Sequence, residues 1–231
     1  MSDFEKMKRQ VYDCNMELPK HHVVRFSFGN ASAIDRSKGV IAIKPSGVDY
    51  ASLTPDQIVI VDLDGNVVEG ELNPSSDTKT HLVLYRSFPE IGGVVHTHST
   101  YAVAWAQAAQ PIPILGTTHA DHCHTDIPCT KFMPDEKILG DYEIETGNQI
   151  LKVFEHHSYQ EVEMVLVAGH GPFAWGRTPE KAVYNCVILE ELAKMALLTL
   201  HIDPELPRLK ETLIQKHYSR KHGQNAYYGQ K

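Results

Sequence analysis

The segment from Ile58 to Glu69 constrains the fold more than any other part of the chain. Ile58–Leu63 is a run rich in β-branched residues, Asp64–Asn66 is a turn sequence built on Asp-Gly, and Val67–Glu69 resumes the strand pattern. Two strands joined by so short a connection pair as a hairpin and run antiparallel. The segment therefore predicts that this half of the sheet is antiparallel.

The remaining apolar patterns predict a sheet covered by helices. Apolar runs predict further strands at 23–28, 40–43, 92–98 and 164–171, with 173–176 continuing the last of them. Helical spacing predicts helices near 4–18, 78–88, 99–109, 179–195 and 206–221. Strands that carry helices on their faces are typical of layered domains. We therefore expect the α/β class, with residues 1–231 forming a single three-layer α/β/α domain around a mainly antiparallel central sheet.

Composition excludes several classes of function. The net charge of −7 lacks the basic footprint of a protein that coats duplex nucleic acid. The amino-terminal segment mixes acids, bases and apolar residues, and no run approaches membrane-spanning length. The four cysteines are scattered without a C-x-x-C pair, which favours a reducing compartment over a disulfide framework. We expect a cytoplasmic protein that binds neither nucleic acid nor membrane.

Two histidines on one predicted strand indicate a metal site. Because side chains alternate along a strand, His96 and His98 point to the same side. An open catalytic zinc site needs three protein ligands, so a third ligand must come from elsewhere. His170 is the best candidate, since it lies between two glycines at the end of another predicted strand.

A second histidine cluster competes with this interpretation. His119, His122, Cys123 and His124 also have spacing compatible with zinc. They share a short irregular segment that lacks a rigid strand, and such closely spaced ligands strain a tetrahedral arrangement. We therefore favour the site of His96, His98 and His170.

Polar loops that follow the strands offer donors for an anionic group. Backbone amides and hydroxyl groups are available at Gly29-Asn30, Ser46-Gly47 and Ser75-Ser76, and Lys44 adds a positive charge. Ser75-Ser76 precedes a predicted helix, whose amino-terminal dipole favours an anion. The same residues also suit ordinary turns and helix caps, so their spacing alone leaves both interpretations open.

Seven segments resemble the L-ribulose-5-phosphate 4-epimerase branch of the class II aldolase and adducin family, and they span nearly the whole chain. They are Phe28-Gly29-Asn30, Lys44-Pro45-Ser46-Gly47, Pro74 to Thr78, His96-Thr97-His98, Gly116 to Asp121, His170 to Gly176, and the tail from Lys216 to Gln230. The His-x-His pair with a distant histidine is similar to the wider family. The Thr-His-Ala-Asp loop and the Tyr-Tyr-Gly-Gln tail resemble the epimerase branch in particular.

The resemblance implies a set of roles for residues of this chain. It implies a divalent metal, Zn²⁺, held by Asp77, His96, His98 and His170. It implies that Asp121 and Tyr228 are the two acid/base groups. The residues that it implies for binding a sugar phosphate are Gly29, Asn30, Lys44, Ser46, Gly47, Ser75, Ser76, Thr117, His217 and Arg220. It also implies a homotetramer with its sites between subunits. The activity implied is the metal-dependent conversion of L-ribulose 5-phosphate to D-xylulose 5-phosphate at C4 in pentose catabolism, whether of arabinose or of ascorbate.

Two other functions remain to be separated from this one. A class II aldolase would release the two carbon fragments instead of rejoining them, and an interaction module would keep the fold without the chemistry. The presence of the metal ligands together with both acid/base positions disfavours the module. Two residues depart from the epimerase pattern. Phe28 stands where tryptophan is common, and His122 stands where an aromatic residue usually follows the acidic loop position. Neither departure removes a proposed ligand.

Overall fold

The computed structural model describes residues 3–223 and 226–227. Seven strands are formed by β1 Asn30–Asp35, β2 Val40–Ile43, β3 Val59–Asp62, β4 Val67–Glu69, β5 Gly93–His96, β6 Met164–Val167 and β7 Gly171–Gly176. The α-helices are α1 Glu5–Lys20, α2 Thr78–Ser87, α3 Thr100–Gln107, α4 Thr117–Ala120, α5 Asp135–Ile138, α6 Tyr142–Val153, α7 Pro179–Ile202 and α8 Glu211–His222, and a 3₁₀ turn spans Pro55–Gln57.

All seven strands belong to one sheet, in the order β4-β3-β2-β1-β5-β7-β6. Every neighbouring pair in this order is antiparallel. The predicted hairpin is confirmed as β3 and β4. In the centre of the sheet β5 lies between β1 and β7, so that His96 is opposite Asn30 on one side and Phe173 on the other.

Helices cover both faces of the sheet, as predicted. Side chains alternate between faces, so that Val94 packs in the core below α2 and α6 while Val95 packs in the core below α1, α3 and α7. The same alternation separates Phe173 and Trp175 from Ala174 on β7. The three-layer α/β/α architecture with an antiparallel sheet is therefore confirmed. Within the described part of the chain, no helix is long and apolar enough to cross a membrane.

Two of the predicted strands are wrong in position. Residues 23–28 form turns, and the strand begins at Asn30, which the sequence pattern had placed in a turn. Phe26 has φ of 52°, a left-handed conformation that interrupts an extended backbone. Val23 and Val24 are nevertheless buried, because their side chains pack in the core below α1. The apolar character of Val23 and Val24 therefore reflects their burial in the core and does not indicate a strand.

The predicted strand at 164–171, extended by 173–176, is in fact a hairpin. β6 ends at Val167, and β7 returns antiparallel from Gly171 with Val167 opposite Gly171. Gly169 takes φ of 73° in the turn between them, and His170 donates its backbone N–H to the Val167 carbonyl at 3.0 Å. His170 is thus held in a tight turn beside the central strand β5.

Candidate metal centre

Three histidines converge at the carboxyl-terminal end of β5. His96 is the last residue of β5, His98 lies two positions further, and His170 comes from the turn before β7. Their ring centroids are 4.9 Å apart for His96 and His98, 4.6 Å for His96 and His170, and 5.3 Å for His98 and His170. One ring nitrogen from each lies within 4.8 Å of the other two. The structure therefore brings together the three residues that the sequence analysis selected.

The hydrogen bonds of His96 leave one ring nitrogen available for a metal. Nδ1 of His96 donates to the Pro172 carbonyl at 2.9 Å, which fixes the tautomer with an unprotonated Nε2. Nε2 is buried and has no hydrogen-bonding partner. A buried ring nitrogen with a free lone pair is costly unless it binds something, and metal-bound histidines typically donate their other N–H to a carbonyl in this way.

Burial favours the neutral imidazoles of His98 and His170. The pKa of His170 falls to about 3, because burial disfavours the cation and His96 and His98 would repel it. Burial, with a contribution from His96, also lowers the pKa of His98. Neutral imidazoles are the form that binds a metal, so His98 and His170 need not lose protons at neutral pH.

Asp77 lies at the amino-terminal end of α2 and lines the same cavity as the histidines. Its Oδ2 accepts a hydrogen bond from Nδ2 of Asn30 at 2.7 Å. Burial opposes ionisation of Asp77, but His96, His81 and the Asn30 amide outweigh it and lower the pKa of the carboxyl group. Although Asp77 occupies the N-cap position, its side chain caps no backbone N–H of α2. The carboxylate is thus anionic and faces the cavity, but it lies outside the tight cluster of three histidines.

The competing histidine cluster does not converge. Among the described residues, the three-histidine group at the end of β5 is the one set whose ligand atoms lie close enough to hold an ion. Nε2 of His119 instead contacts the Thr125 carbonyl at 3.0 Å, and Cys123 is buried in the core below α7. Burial lowers the pKa of His119 to about 4 and raises the pKa of Cys123 to about 12. These residues stabilise the loop after α4.

The three histidines open onto a cavity of about 400 Å³. This volume lies in the range of small-molecule sites. The predicted donors Gly29, Asn30, Lys44, Ser46, Gly47, Ser75 and Ser76 all line it, together with Asp77. Two of the donor loops are tied to each other, since Ser46 N–H donates to the Asn73 carbonyl at 3.0 Å and Ser75 N–H donates to the Lys44 carbonyl at 3.1 Å.

Lys44 is a buried cation on the cavity wall. Only 1% of its surface is exposed, and Nζ donates to the carbonyl oxygens of Ser27 at 3.2 Å and Pro45 at 3.4 Å. Nζ also lies 4.9 Å from the centre of the Tyr50 ring. Burial lowers the pKa of Lys44 to about 8. A buried ammonium group with only neutral acceptors is well suited to meet an anionic ligand.

The structure adds cavity residues that the sequence analysis missed. Tyr142, Glu143 and Thr146 line the cavity from the start of α6, and Thr80 lines it from α2. The hydroxyl group of Tyr142 lies 3.3 Å from Nδ1 of His170. An available signal was Asp141, which caps α6 through the Ile144 N–H at 3.5 Å and precedes a helical apolar pattern.

Thr117, Asp121, His217 and Arg220 do not line this cavity. Asp121 ends α4, and its carboxylate binds residues of α8. Oδ1 accepts from Nδ1 of His217 at 3.1 Å and from Nε of Arg220 at 3.0 Å. Burial opposes ionisation of Asp121, but the bonds from Arg220 and His217 lower the pKa of its carboxyl group. In the single chain, the predicted acid/base residue is therefore part of a separate charged cluster.

Tyr228, the second predicted acid/base group, lies outside the described residues.

Phe28, which replaces a tryptophan in the expected pattern, is 57% exposed on the cavity wall and its ring lies 6.4 Å from that of His98. The substitution therefore keeps an aromatic ring beside the histidine cluster.

Comparison with known proteins links this geometry to a family. The model of the Class II Aldolase and Adducin N-terminal domain matches residues 9–197. The chain is 52% identical over 98% of its length, and over 100% of the relative, to "L-ribulose-5-phosphate 4-epimerase UlaF" of Salmonella paratyphi C strain RKS4594, and equally similar to the same protein of Salmonella choleraesuis strain SC-B67.

Solved structures have the same fold. An L-fuculose 1-phosphate aldolase matches with a TM-score of 0.79 at 26% identity and covers 95% of this chain and 97% of its own. A sugar-phosphate aldolase from Thermotoga maritima matches with a TM-score of 0.66 at 18% identity, covering 91% of this chain and 100% of its own, and supports the fold alone.

Proposed function

The chain belongs to the class II aldolase and adducin family, and we propose that it is a divalent-metal-dependent L-ribulose-5-phosphate 4-epimerase. The observation that carries the proposal is the cluster of His96, His98 and His170 at the end of a cavity lined by phosphate-type donors. Relatives that are 52% identical over nearly the whole chain and carry this activity in their names support the choice of substrate.

The donor set fits a zinc ion. Three imidazoles are a ligand set found in open catalytic zinc sites, Asp77 lines the same cavity, and Nε2 of His96 is buried without a hydrogen-bonding partner. We propose that His96, His98, His170 and Asp77 hold one metal ion per subunit. When bound, the metal supplies a Lewis acid for the oxygens of the ketone half of the substrate.

The proposed reaction inverts a carbon that bears no acidic hydrogen. Direct deprotonation of C4 is therefore not a route to inversion. Removing the proton of the C4 hydroxyl group instead lets the C3–C4 bond break, which gives glycolaldehyde phosphate and the enediolate of dihydroxyacetone. Rotation of the aldehyde and attack on its other face re-form the bond with the opposite configuration, and the new C4 alkoxide takes a proton back.

The residues of this chain have separable parts in that scheme. We propose that the backbone amides and hydroxyl groups at Gly29-Asn30, Ser46-Gly47 and Ser75-Ser76 orient the sugar phosphate, and that Lys44 neutralises part of its charge. Because the aldehyde presents either face, proton transfer is needed on two sides, and we assign these transfers to Asp121 and Tyr228.

The separation of Asp121 from the cavity supports a site shared between subunits. In one chain, Thr117, Asp121, His217 and Arg220 lie away from the histidine cluster. We propose that in a homotetramer these residues and the tail of one protomer complete the cavity of its neighbour. Exposed apolar side chains, which include Phe132 at 61% beside Gly169 and Ile202 at 85% at the end of α7, are consistent with surfaces that another protomer covers.

Incubation of the metal-loaded protein with L-ribulose 5-phosphate tests the proposal. We expect D-xylulose 5-phosphate to form until equilibrium, with little glycolaldehyde phosphate released. Accumulation of glycolaldehyde phosphate and dihydroxyacetone would favour the alternative function, an aldolase. The structural similarity to an L-fuculose 1-phosphate aldolase is the reason to test this alternative. Absence of both reactions would contradict the proposal.

The wider biological setting follows from the proposed substrate. We propose a cytoplasmic enzyme of pentose catabolism, with residues 1–231 as one catalytic domain, and arabinose and ascorbate routes are equally able to supply its substrate. Growth of a deletion strain on each carbon source, with and without the gene restored, separates the two routes.

A further inference from the structure

Tyr142 lines the cavity from α6, a helix that supplies none of the predicted ligands or donors. It is the first residue of α6 and shares the cavity with the three histidines. Its hydroxyl oxygen lies 3.3 Å from Nδ1 of His170, and the two ring centroids are 6.0 Å apart. The side chain is half-buried. The hydroxyl group therefore lies in the cavity, beside the histidine cluster.

The amino-terminal end of α6 is fixed against α2. Nζ of Lys79 donates to Oδ2 of Asp141 at 2.6 Å, and Oγ1 of Thr80 donates to the Glu143 carbonyl at 2.7 Å. Asp141 and Glu143 are the two sequence neighbours of Tyr142. A side chain on a rigid element loses less conformational entropy when it binds a ligand than one on a loose loop. The backbone of Tyr142 is thus in place before a ligand arrives.

Close packing of the two helices adds to this rigidity. A Cβ atom added at Gly147 would lie 2.6 Å from Cβ of Val83 on α2, so a larger residue would push α6 away from α2. Because α2 begins directly after Asp77, the same packing fixes Tyr142 relative to the proposed metal ligands.

The threonine hydroxyl groups near Tyr142 are already used inside the chain. Thr80 and Thr146 also line the cavity, but each is only 1% exposed. Oγ1 of Thr80 donates to the Glu143 carbonyl, and Oγ1 of Thr146 donates to the Tyr142 carbonyl at 2.9 Å. A ligand in the cavity therefore meets the hydroxyl group of Tyr142 more readily than those of the two threonines.

The hydroxyl group of Tyr142 can contact Nδ1 of His170 and a ligand at the same time. A tyrosine hydroxyl group is both a donor and an acceptor. If Nδ1 donates to it, its own hydrogen is left for an oxygen of the ligand. If it donates to Nδ1 instead, it can still accept a hydrogen from the ligand. A sugar hydroxyl group fits both arrangements, whereas a phosphate oxygen without a hydrogen fits only the first.

Charge on this side of the cavity also favours the sugar part of a ligand over its phosphate. The acidic residue Glu143 lines the cavity next to Tyr142, and a carboxylate disfavours a second anion nearby. The buried cation of Lys44 and the donor loops come from other segments of the chain. Tyr142 is therefore better placed for an uncharged hydroxyl group.

We infer that Tyr142 is a substrate-binding residue: its hydroxyl group, held beside His170, forms a hydrogen bond with a hydroxyl group of the sugar part of the ligand. This inference rests on the proposed function, which makes the ligand a sugar phosphate. It adds a contact that recognises the sugar and not the phosphate.

Two ligands and one substitution test this contact. L-Arabinitol 5-phosphate carries sugar hydroxyl groups and a phosphate but lacks the carbonyl group that carbon–carbon cleavage requires, whereas inorganic phosphate carries the charge alone. We expect Tyr142→Phe to raise the Kd for L-arabinitol 5-phosphate about 3-fold to 10-fold, the usual effect of losing one neutral hydrogen bond. The Kd for inorganic phosphate should stay that of the wild type.

Tyr159→Phe is the matched control. Tyr159 is also half-buried, but it stacks on Phe88 with ring centroids 4.3 Å apart and does not line the cavity. We expect both Kd values to be unchanged in this variant. Titration calorimetry of the Zn²⁺-loaded proteins gives the ligand affinities, and competition with a chelator gives the Zn²⁺ affinity. Melting temperatures show whether either substitution disturbs the fold.

The possible failures point to different conclusions. An unchanged Kd for L-arabinitol 5-phosphate in Tyr142→Phe would overturn the inference, as would equal losses for both ligands, which indicate a distorted cavity. A loss of Zn²⁺ affinity of about 10-fold or more would assign the hydroxyl group to holding His170 and not the ligand. A wild-type protein that binds L-arabinitol 5-phosphate no more tightly than inorganic phosphate would also contradict the inference. If the expected difference between the two ligands is found but the wild type does not turn over L-ribulose 5-phosphate, the proposed function is wrong and the role of Tyr142 in binding remains.

Discussion

Arg220 and Asp121 form a two-point ion pair that joins residues 99 positions apart. Nε of Arg220 donates to Oδ1 at 3.0 Å and Nη2 donates to Oδ2 at 2.7 Å, and the Asp121 side chain is only 13% exposed. Nδ1 of His217 adds a third contact at 3.1 Å. Planar two-point pairs between arginine and carboxylate are stronger and more directional than single contacts. This pair therefore fixes α8 against the end of α4.

Replacement of Asp121 by asparagine should make the protein less stable in a pH-dependent way. Because the pKa of Asp121 is lowered in the folded state, its contribution is present above the unfolded value of about 3.9 and is lost as pH falls through the folded value. We expect Asp121→Asn to reduce the free energy of unfolding by about 1–2 kcal/mol at pH 7, with the difference disappearing in strong acid. Urea denaturation at several pH values measures it.

Asp13→Asn is the control for that experiment. Asp13 pairs with Arg9 at 3.1 Å, but both side chains are more than half exposed. An exposed pair of this kind contributes about 0.3–0.5 kcal/mol. Equal effects of the two substitutions at pH 7 would contradict the structural importance of the Asp121 cluster.

Lys44 should make substrate capture sensitive to alkaline pH. Its pKa of about 8 means that the cation is present below that pH and is lost as pH rises through it. We expect kcat/KM of the wild type to fall above about pH 8. In Lys44→Met, kcat/KM should be lower by about 10-fold to 100-fold at pH 7, as expected for loss of a charged hydrogen bond, and should lack this alkaline limb. A limb that persists in Lys44→Met would assign it to another group.

Removal of one proposed histidine ligand should remove both metal and turnover. His96→Ala deletes the proposed ligand whose Nε2 is buried and unpartnered. We expect less than one metal ion per subunit after dialysis and a turnover at least about 10³-fold lower, because metal-supplied charge stabilisation amounts to several kcal/mol. Elemental analysis and the epimerase assay measure the two effects. His156→Ala, at an exposed position, should leave both unchanged.

Gly29 should be required for the close approach of two backbone segments. It has φ of 78°, and a Cβ atom added there would lie 2.7 Å from the His96 carbonyl oxygen. We expect Gly29→Ala to reduce the free energy of unfolding by about 2–4 kcal/mol, through backbone strain and overlap together, and to weaken metal binding by displacing His96.

Gly39→Ala separates strain from overlap. Gly39 has φ of 65°, but a Cβ atom added there meets nothing within 4 Å. Only the conformational cost of about 1 kcal/mol applies. Thermal unfolding and Zn²⁺ titration of the two variants should therefore differ. Similar losses in both would show that the contact with the His96 backbone is unimportant.

The carboxyl-terminal tail should affect turnover without affecting the metal. We expect deletion of the residues after Gly223 to leave the fold and bound metal intact and to abolish turnover. Tyr228→Phe should lower kcat about 10²-fold to 10⁴-fold, the usual contribution of an acid/base group. Tyr227→Phe is the matched control at an exposed position and should be nearly silent. Full activity of the truncated protein would contradict the role assigned to the tail.

Local chemistry explains which features were predictable. The β3–β4 hairpin and the start of α7 depend on turn and capping residues that are adjacent in sequence, and Thr178 does cap α7 by accepting from the Lys181 N–H at 3.2 Å. The strand at 23–28 was predicted wrongly because a turn that is buried below α1 contains apolar residues, as a buried strand does. Whether such a segment forms a turn or a strand depends on packing partners distant in sequence.

By itself, the sequence selected His96 and His98 as candidate ligands, because the two-residue period of a predicted strand puts them on one side, and it singled out His170 as the third candidate. Only the tertiary structure decided that the turn between β6 and β7 brings His170 within 4.6 Å of His96, since that distance depends on the pairing of β5 with β7. It also decided that Asp121 contacts α8. Contacts between residues so far apart in the chain depend on how helices and sheet pack together, and local sequence patterns carry no record of that packing.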